Sequence, residues 1–111
     1  MSPLEGKFAD IDGRTAQKIR KNEIKIEARL DLHGMTEAEA FEAVPAFIKK
    51  SYAKKLRCIL IITGKGQILQ PQVPKWLRLP TVKPLILSVT NPEPRLGGTG
   101  ALYILLRRQR D

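Results

Sequence analysis

Residues 58–62, CILII, place five apolar side chains in a row, three of them β-branched. A strand with one wet face would expose two or three of these. A strand buried on both faces exposes none, and such strands occupy the interior of sheets flanked by other packed elements. This run therefore demands a sheet with neighbours on either side and chain packed above and below.

The flanking sequence supplies those partners. Upstream, EIKIEARLDLH (23–33) alternates strictly. Ile24, Ile26, Ala28, Leu30 and Leu32 share one face, while Lys25, Glu27, Arg29, Asp31 and His33 share the other, which is a strand period. Between the two strands lies GMTEAEAFEAVPAFIKKSYAKK (34–55). Thr36 followed by Glu39 forms a capping box that starts a helix. Phe41, Val44, Ile48 and Tyr52 predict its apolar stripe. Pro45 removes one backbone bond and crowds the preceding turn, at a cost of roughly 3 kcal/mol where nothing compensates, so the expectation is one bent helix.

Downstream, QPQVPKWLRL (70–79) predicts a shorter helix that turns Trp76 and Leu77 inward. KPLILSVTNPEP (83–94) reads as a third strand ended by prolines, RLGGTG (95–100) as a glycine-rich loop and ALYILLRR (101–108) as a last strand. The order is strand, helix, strand, helix, strand, strand. Strands joined through a helix run parallel with a right-handed crossover, and a strand joined by a short loop returns antiparallel. The expected fold is a small α/β two-layer sandwich with a four-stranded mixed sheet. The chain divides into a flexible leader over 1–13, a basic helix and extended segment over 14–28 that packs on the domain, the domain proper over 29–108, and a basic tail over 109–111.

Composition narrows the function. The 111 residues suit one core that folds alone. Twenty Lys and Arg against 11 Asp and Glu leave a formal charge of +9, which points to a polyanionic partner: nucleic acid or ribosome before an anionic membrane surface. A lone cysteine, Cys58, excludes a disulfide within the chain and suits a reducing cytoplasm. One Cys and one His exclude a zinc site of the usual kind. No run approaches the roughly 18 apolar residues of a membrane span, and MSPLEGKFAD has no apolar stretch of the signal-peptide type. The six aromatics form no evident stacking platform for single strands. No feature specifies an oligomeric state.

The topology also nominates a site. Ligands of α/β folds gather at the C-terminal edge of the parallel strands. DLHG ends the first strand, TGKG the second and NPEPR the third, and GGTG opens the fourth at the same edge. Asp31 lies two residues before His33, the only histidine, and can orient its ring. Taken alone the pair reads more readily as two surface residues. Gly34 permits φ > 0, and the following helix aims free N–H groups at the same spot. TGKG lacks the spacing of a P-loop. Gly64, Lys65 and Gly66 can still offer amides and one cation to a phosphate, or form a plain tight turn. Arg95, ahead of Gly97 and Gly98, can grip a phosphate bidentately, or the segment can be a simple connection.

Together, ARLDLHGMT, ILIITGKG and PEPRLGGTGALYILLRR, in that order, closely resemble the Smr (small MutS-related) domain, found at the C-terminus of MutS2 proteins and as stand-alone bacterial proteins. The resemblance runs from about Arg14 to Arg108. It implies an α/β sandwich and endonuclease activity on DNA or RNA, with links to repair, recombination and rescue of stalled ribosomes. It places the family's D-L-H-G on Asp31, Leu32, His33 and Gly34, and its second motif, often HGxG, on Thr63, Gly64, Lys65 and Gly66. Thr63 thus stands where relatives often carry a histidine, and QILQPQVPKW lacks arginines common in relatives. The abrupt opening MSPLEG leads us to expect an N-terminal region beyond this sequence.

The resulting expectation is an endonuclease with Asp31 and His33 catalytic. Gly34, Thr63, Gly64, Lys65, Gly66, Arg95, Gly97 and Gly98 would bind nucleic acid. No cofactor is obligatory, and a divalent metal at Asp31 and His33 remains compatible. The alternative is a non-catalytic module that binds nucleic acid or ribosome.

Overall fold

The structure, a computed structural model, describes residues 25–108. The expected leader, the basic helix and the tail at 109–111 lie outside the described residues. Strand β1 (Ala28–Asp31) leads into helix α1 (Glu37–Ala53), then β2 (Cys58–Ile62), helix α2 (Leu69–Trp76), β3 (Ile86–Thr90) and β4 (Ala101–Leu106). Short 3₁₀ turns at Lys83–Leu85, Pro94–Leu96 and Gly98–Gly100 complete the set. The sheet order is β1-β2-β4-β3. β1 and β2 are parallel, and β4 runs antiparallel to both β2 and β3. The first three strands therefore share a direction, as the connections require.

The insertion of β4 between β2 and β3 explains the two most apolar runs. Both are interior strands, so both faces of each are covered. Cys58 to Ile61 are at most 1% exposed, and all six residues of β4 are buried. On one face Ile59, Ile61, Leu102, Ile104 and Leu106 meet Ala40, Val44 and Ile48 of α1 and Val73 and Trp76 of α2. Both helices lie on this face, which makes two layers. On the other, Cys58, Leu60, Ala101, Tyr103 and Leu105 form a second cluster.

The capping box forms as read. Glu39 N–H donates to Thr36 Oγ1 at 3.1 Å, and Thr36 N–H donates to Glu39 Oε1 at 2.8 Å. The Thr36 backbone N–H, and after it the Thr36 hydroxyl, hold the Glu39 carboxyl below its ordinary range. Helix α1 continues through Pro45.

Three expectations need correction. The buried stripe of α1 is Ala40, Val44, Ile48 and Ser51, rotated from the predicted one. Phe41 is 45% exposed and stands edge-to-face with Trp76, with ring centroids 5.3 Å apart. Small residues at 40 and 51 let the helix lie close to the sheet, and side-chain size alone points to the wrong face. Second, the alternation upstream of Ala28 does not carry one face. Ile26 packs with the Cys58–Tyr103 cluster, whereas Ala28 and Leu30 pack beneath the helices. Ile26 precedes the first paired residue, so no pleat ties its direction to theirs. Third, β1 ends at Asp31, so His33 belongs to a turn and not to the strand.

Candidate functional site

The turn after β1 is built by its own sequence. Leu32 N–H donates to Ile62 O at 2.9 Å, which extends the parallel pairing one step beyond the strand. Met35 N–H then returns to Leu32 O at 3.0 Å, closing a four-residue turn. Gly34, third in that turn, has φ +82, the conformation that a type II turn demands and that glycine adopts without strain. His33 occupies the second position, exposed at the corner. Asp31 Oδ1 accepts the His33 backbone N–H at 2.9 Å. The carboxylate thus fixes the peptide that carries the imidazole. In this geometry it holds the turn and not the ring, because the two side chains are no longer on one strand face.

The loops after β2 and before β4 are tied through one carbonyl. Thr63 N–H and Gly64 N–H both donate to Gly100 O at 2.9 Å. The Thr63 hydroxyl lies 2.8 Å from Gly64 O and 3.2 Å from Gly100 O, and the residue is 7% exposed. The approach is close: a Cβ on Gly100 would stand 3.2 Å from the Gly64 carbonyl carbon and 3.3 Å from Lys65 Cγ. Gly97 has φ +121, and a Cβ there would meet Ala101 Cβ at 2.7 Å. Gly100 is thus the residue that joins two of the three motifs. The resemblance matches Gly100 to the family's loop together with Arg95, Gly97 and Gly98 but leaves it out of the candidate binding residues, although a third glycine in GGTG, directly before a buried strand, is a usable signal of close backbone approach.

These bonds decide which groups remain available. The Gly64 amide is committed to Gly100, the Gly97 amide to Pro94 O and the Gly98 amide to Glu93 O. Thr63 is a buried tie between loops. Lys65 and Gly66 are exposed, and their amides have no hydrogen bond among the described residues. The Lys65 side chain carries the one cation in this loop. Arg95 is 71% exposed and pairs with Glu93, Nε to Oε2 at 2.8 Å. A phosphate would compete with that pair, and exposed pairs contribute only about 0–1 kcal/mol.

A hollow of about 310 Å³ joins the two motifs, walled by Met35, Thr36 and Glu37 on one side and Gly66, Ile68 and Leu69 on the other. The start of α1 opens into it. That helix end already holds Glu37 and Glu39 in its first turn, so its positive end is balanced by its own carboxylates and suits an anion less than the sequence suggested. Among the described residues, no three His, Cys, Asp or Glu side chains converge as a metal site, and no helix is long and apolar enough to cross a membrane.

The opposite edge of the sheet is closed. Glu27 Oε1 accepts from Arg57 N–H at 2.6 Å and from Cys58 N–H at 3.1 Å, and Arg57 Nε donates to Leu106 O at 2.9 Å. Burial, with a smaller push from Glu27, raises the Cys58 thiol to about 11. Cys58 is therefore a core residue and not a nucleophile.

Comparison with known proteins agrees with the motif reading. The Smr domain model matches residues 30–107. The chain is 30% identical over 105 residues to the ribosome rescue factor SmrB of Escherichia coli, covering 94% of this chain and 56% of that protein. It is 35% identical over 88 residues to an uncharacterized protein of Treponema pallidum, covering 74% of this chain and 42% of that protein. The chain thus spans about half the length of these curated relatives. Among solved structures, it superposes on the Smr domain of Thermus thermophilus MutS2 with a TM-score of 0.65 at 28% identity, over 72% of this chain and 98% of that one. It superposes on YdaL, a stand-alone small MutS-related protein of Escherichia coli, with a TM-score of 0.72 at 28% identity, over 88% and 78%.

Proposed function

The chain belongs to the Smr domain family, and from that premise we propose that it is a nucleic-acid endonuclease whose reaction centres on His33. One observation carries this reading. The only imidazole of the chain stands exposed at a turn corner, held there by Asp31, beside a strand whose C-terminal loop presents Lys65. A positioned acid or base contributes about 10²–10⁴-fold to proton transfer. Lys65 and the amides of Lys65 and Gly66, unbonded among the described residues, can receive the non-bridging oxygens of a phosphodiester as charge gathers on them.

RNA suits so sparse a site better than DNA. Its 2′-hydroxyl supplies the nucleophile, so His33 need only remove that proton or protonate the leaving oxygen. Thr63, committed to the loop carbonyls, takes no part in proton transfer, and the second imidazole common in relatives has no counterpart here. A divalent ion, where one takes part, would draw on Asp31 and His33 from this chain. The SmrB relatives are named for ribosome rescue, and a ribosome-bound RNA is the corresponding partner for this chain.

The test is cleavage of structured RNA and DNA by wild type and His33→Ala, with and without chelator. Cleavage by the wild type alone supports the reading, and equal cleavage by both removes His33 from the mechanism. A second reading, binding without cleavage, is favoured by the Asp31 contact to backbone and not to the ring. It requires that neither protein cuts while both bind, with affinity falling steeply as salt rises.

A further inference from the structure

A second and larger cleft adjoins the loops just described. It holds about 570 Å³ between α2 and β3, within the range of small-ligand sites. Its walls are aliphatic: Pro74 from α2 and Leu77 just past its end, Ile86 and Val89 from β3, and Leu102 from β4. Thr63 lines both this cleft and the smaller hollow beside Gly66, so the two share one wall.

The two ends of the cleft differ. At the loop end stand Gln70, Asn91 and Thr99. Gln70 Nε2 donates to Thr99 O at 2.7 Å and Asn91 Nδ2 donates to Ala101 O at 3.0 Å, which fixes both amides and leaves each an oxygen with spare capacity. At the far end stand Arg78 and Lys83, both exposed, with no ion pair among the described residues. Ile86 to Asn91 spans about 16 Å at roughly 3.3 Å per residue. An apolar trench therefore runs between uncharged polar groups at one end and two cations at the other.

We propose that this cleft receives a base of the bound strand, unstacked from its neighbours, with an adjoining phosphate at Arg78 and Lys83. This rests on the nucleic-acid reading above and adds to it a subsite that holds a base. Charge complementarity selects this occupant. An apolar peptide would use the walls but gain nothing from Arg78 and Lys83, whereas a nucleotide carries a phosphate beside its ring. The amide oxygens of Gln70 and Asn91 can meet the edge of that ring. The absence of an aromatic platform is then no obstacle, because the base is held by enclosure and not by stacking.

The probe is a single-stranded RNA 10-mer at low salt, with a set of copies each lacking one base. Wild type should lose about tenfold in affinity when one particular base is removed, the equivalent of one well-held base. Val89→Phe, which fills the cleft, should bind the intact RNA as weakly as wild type binds that abasic copy, and should no longer distinguish the two. Lys65→Ala should weaken every member of the set alike. Gln70→Ala and Asn91→Ala, at the cleft mouth, give the same comparison should Val89→Phe fail to fold.

If every abasic copy binds wild type as tightly as intact RNA does, the cleft proposal is overturned while phosphate binding at Lys65 stands. The proposal is equally overturned if the methyl resonances of Leu77, Ile86, Val89 and Leu102 ignore RNA but move with an apolar peptide. If wild type binds none of the set, the nucleic-acid reading itself fails and the subsite fails with it.

Discussion

The two ends of the sheet are made from the same strands and do opposite things. At the N-terminal end of β2, Glu27 and Arg57 commit their side chains to backbone groups of Cys58 and Leu106, and the edge is stitched shut. At the C-terminal end uncharged groups do most of the stitching: backbone from Leu32 to Ile62 and from Thr63 and Gly64 to Gly100, with the side chains of Thr63, Gln70 and Asn91 on loop carbonyls and Asp31 on the His33 amide. That arrangement leaves the His33 and Lys65 side chains exposed and the amides of Lys65 and Gly66 unbonded among the described residues. The difference teaches how a small domain frees a surface for chemistry. Glycines at 34, 64, 97 and 98 take positive φ, and loops that close on their own carbonyls need no charged lysine, arginine or histidine side chain to hold them.

The contrast can be broken at either end, and the expected effects fall in a definite order. His33→Ala should reduce cleavage about 10²–10⁴-fold with melting temperature and affinity nearly unchanged. A loss of fold instead would mean that the imidazole itself holds the turn. Gly97→Ala should follow, since its Cβ meets Ala101 Cβ at 2.7 Å and φ +121 strains any side chain. Urea unfolding should register a loss of ~1–3 kcal/mol, and a neutral result would show that the loop is loosely set.

Glu27→Ala probes the closed end. Removing a charged acceptor from two backbone donors should cost ~1–3 kcal/mol of stability while nucleic-acid affinity stays constant. A change in affinity with stability preserved would contradict the division of labour between the edges. Lys65→Ala should leave the fold intact and lower the slope of log affinity against log salt by about one. An unchanged slope would remove Lys65 from the phosphate contact.

The smallest effect is alkaline. Cys58 ionises near 9.0 when unfolded and at about 11 when folded, because burial disfavours the thiolate. The unfolded chain therefore releases this proton first. The stability contributed by the neutral thiol is whole below pH 9 and is lost as pH rises towards 11. Replacing Cys58 by Ala should flatten the decline of denaturation midpoint over that window, and an identical decline would assign it to other groups.

How much is legible in the sequence follows from how local each cause is. The capping box at Thr36 and Glu39 and the run CILII are readable because their partners lie three residues away or because any partner must be apolar. The three motifs are readable for the same reason: glycines and a lone histidine at strand ends are local signals. The stripe of α1 is not, because Phe41 is larger than Ala40, and hydrophobic size does not reveal how near a helix can lie to a sheet. Nor is the partner of Asp31, because the alternating pattern continues two residues past the point where strand pairing stops, and the turn redirects the ring.

The sequence by itself determined that a doubly buried strand must sit inside a mixed sheet, that helices must join its parallel members, and that glycine turns and His33 must meet at one edge. Those follow from side-chain period, connection length and the conformations open to glycine. Only the tertiary structure decided which polar groups at that edge stay free. The Gly64 amide is committed to Gly100, 36 positions away, Thr63 is buried between loops, and Arg95 is paired with Glu93, whereas the amides of Lys65 and Gly66 are not bonded among the described residues. A hydrogen bond is satisfied once, by whichever group the fold brings near, and that competition between distant segments is written in no single stretch of the chain.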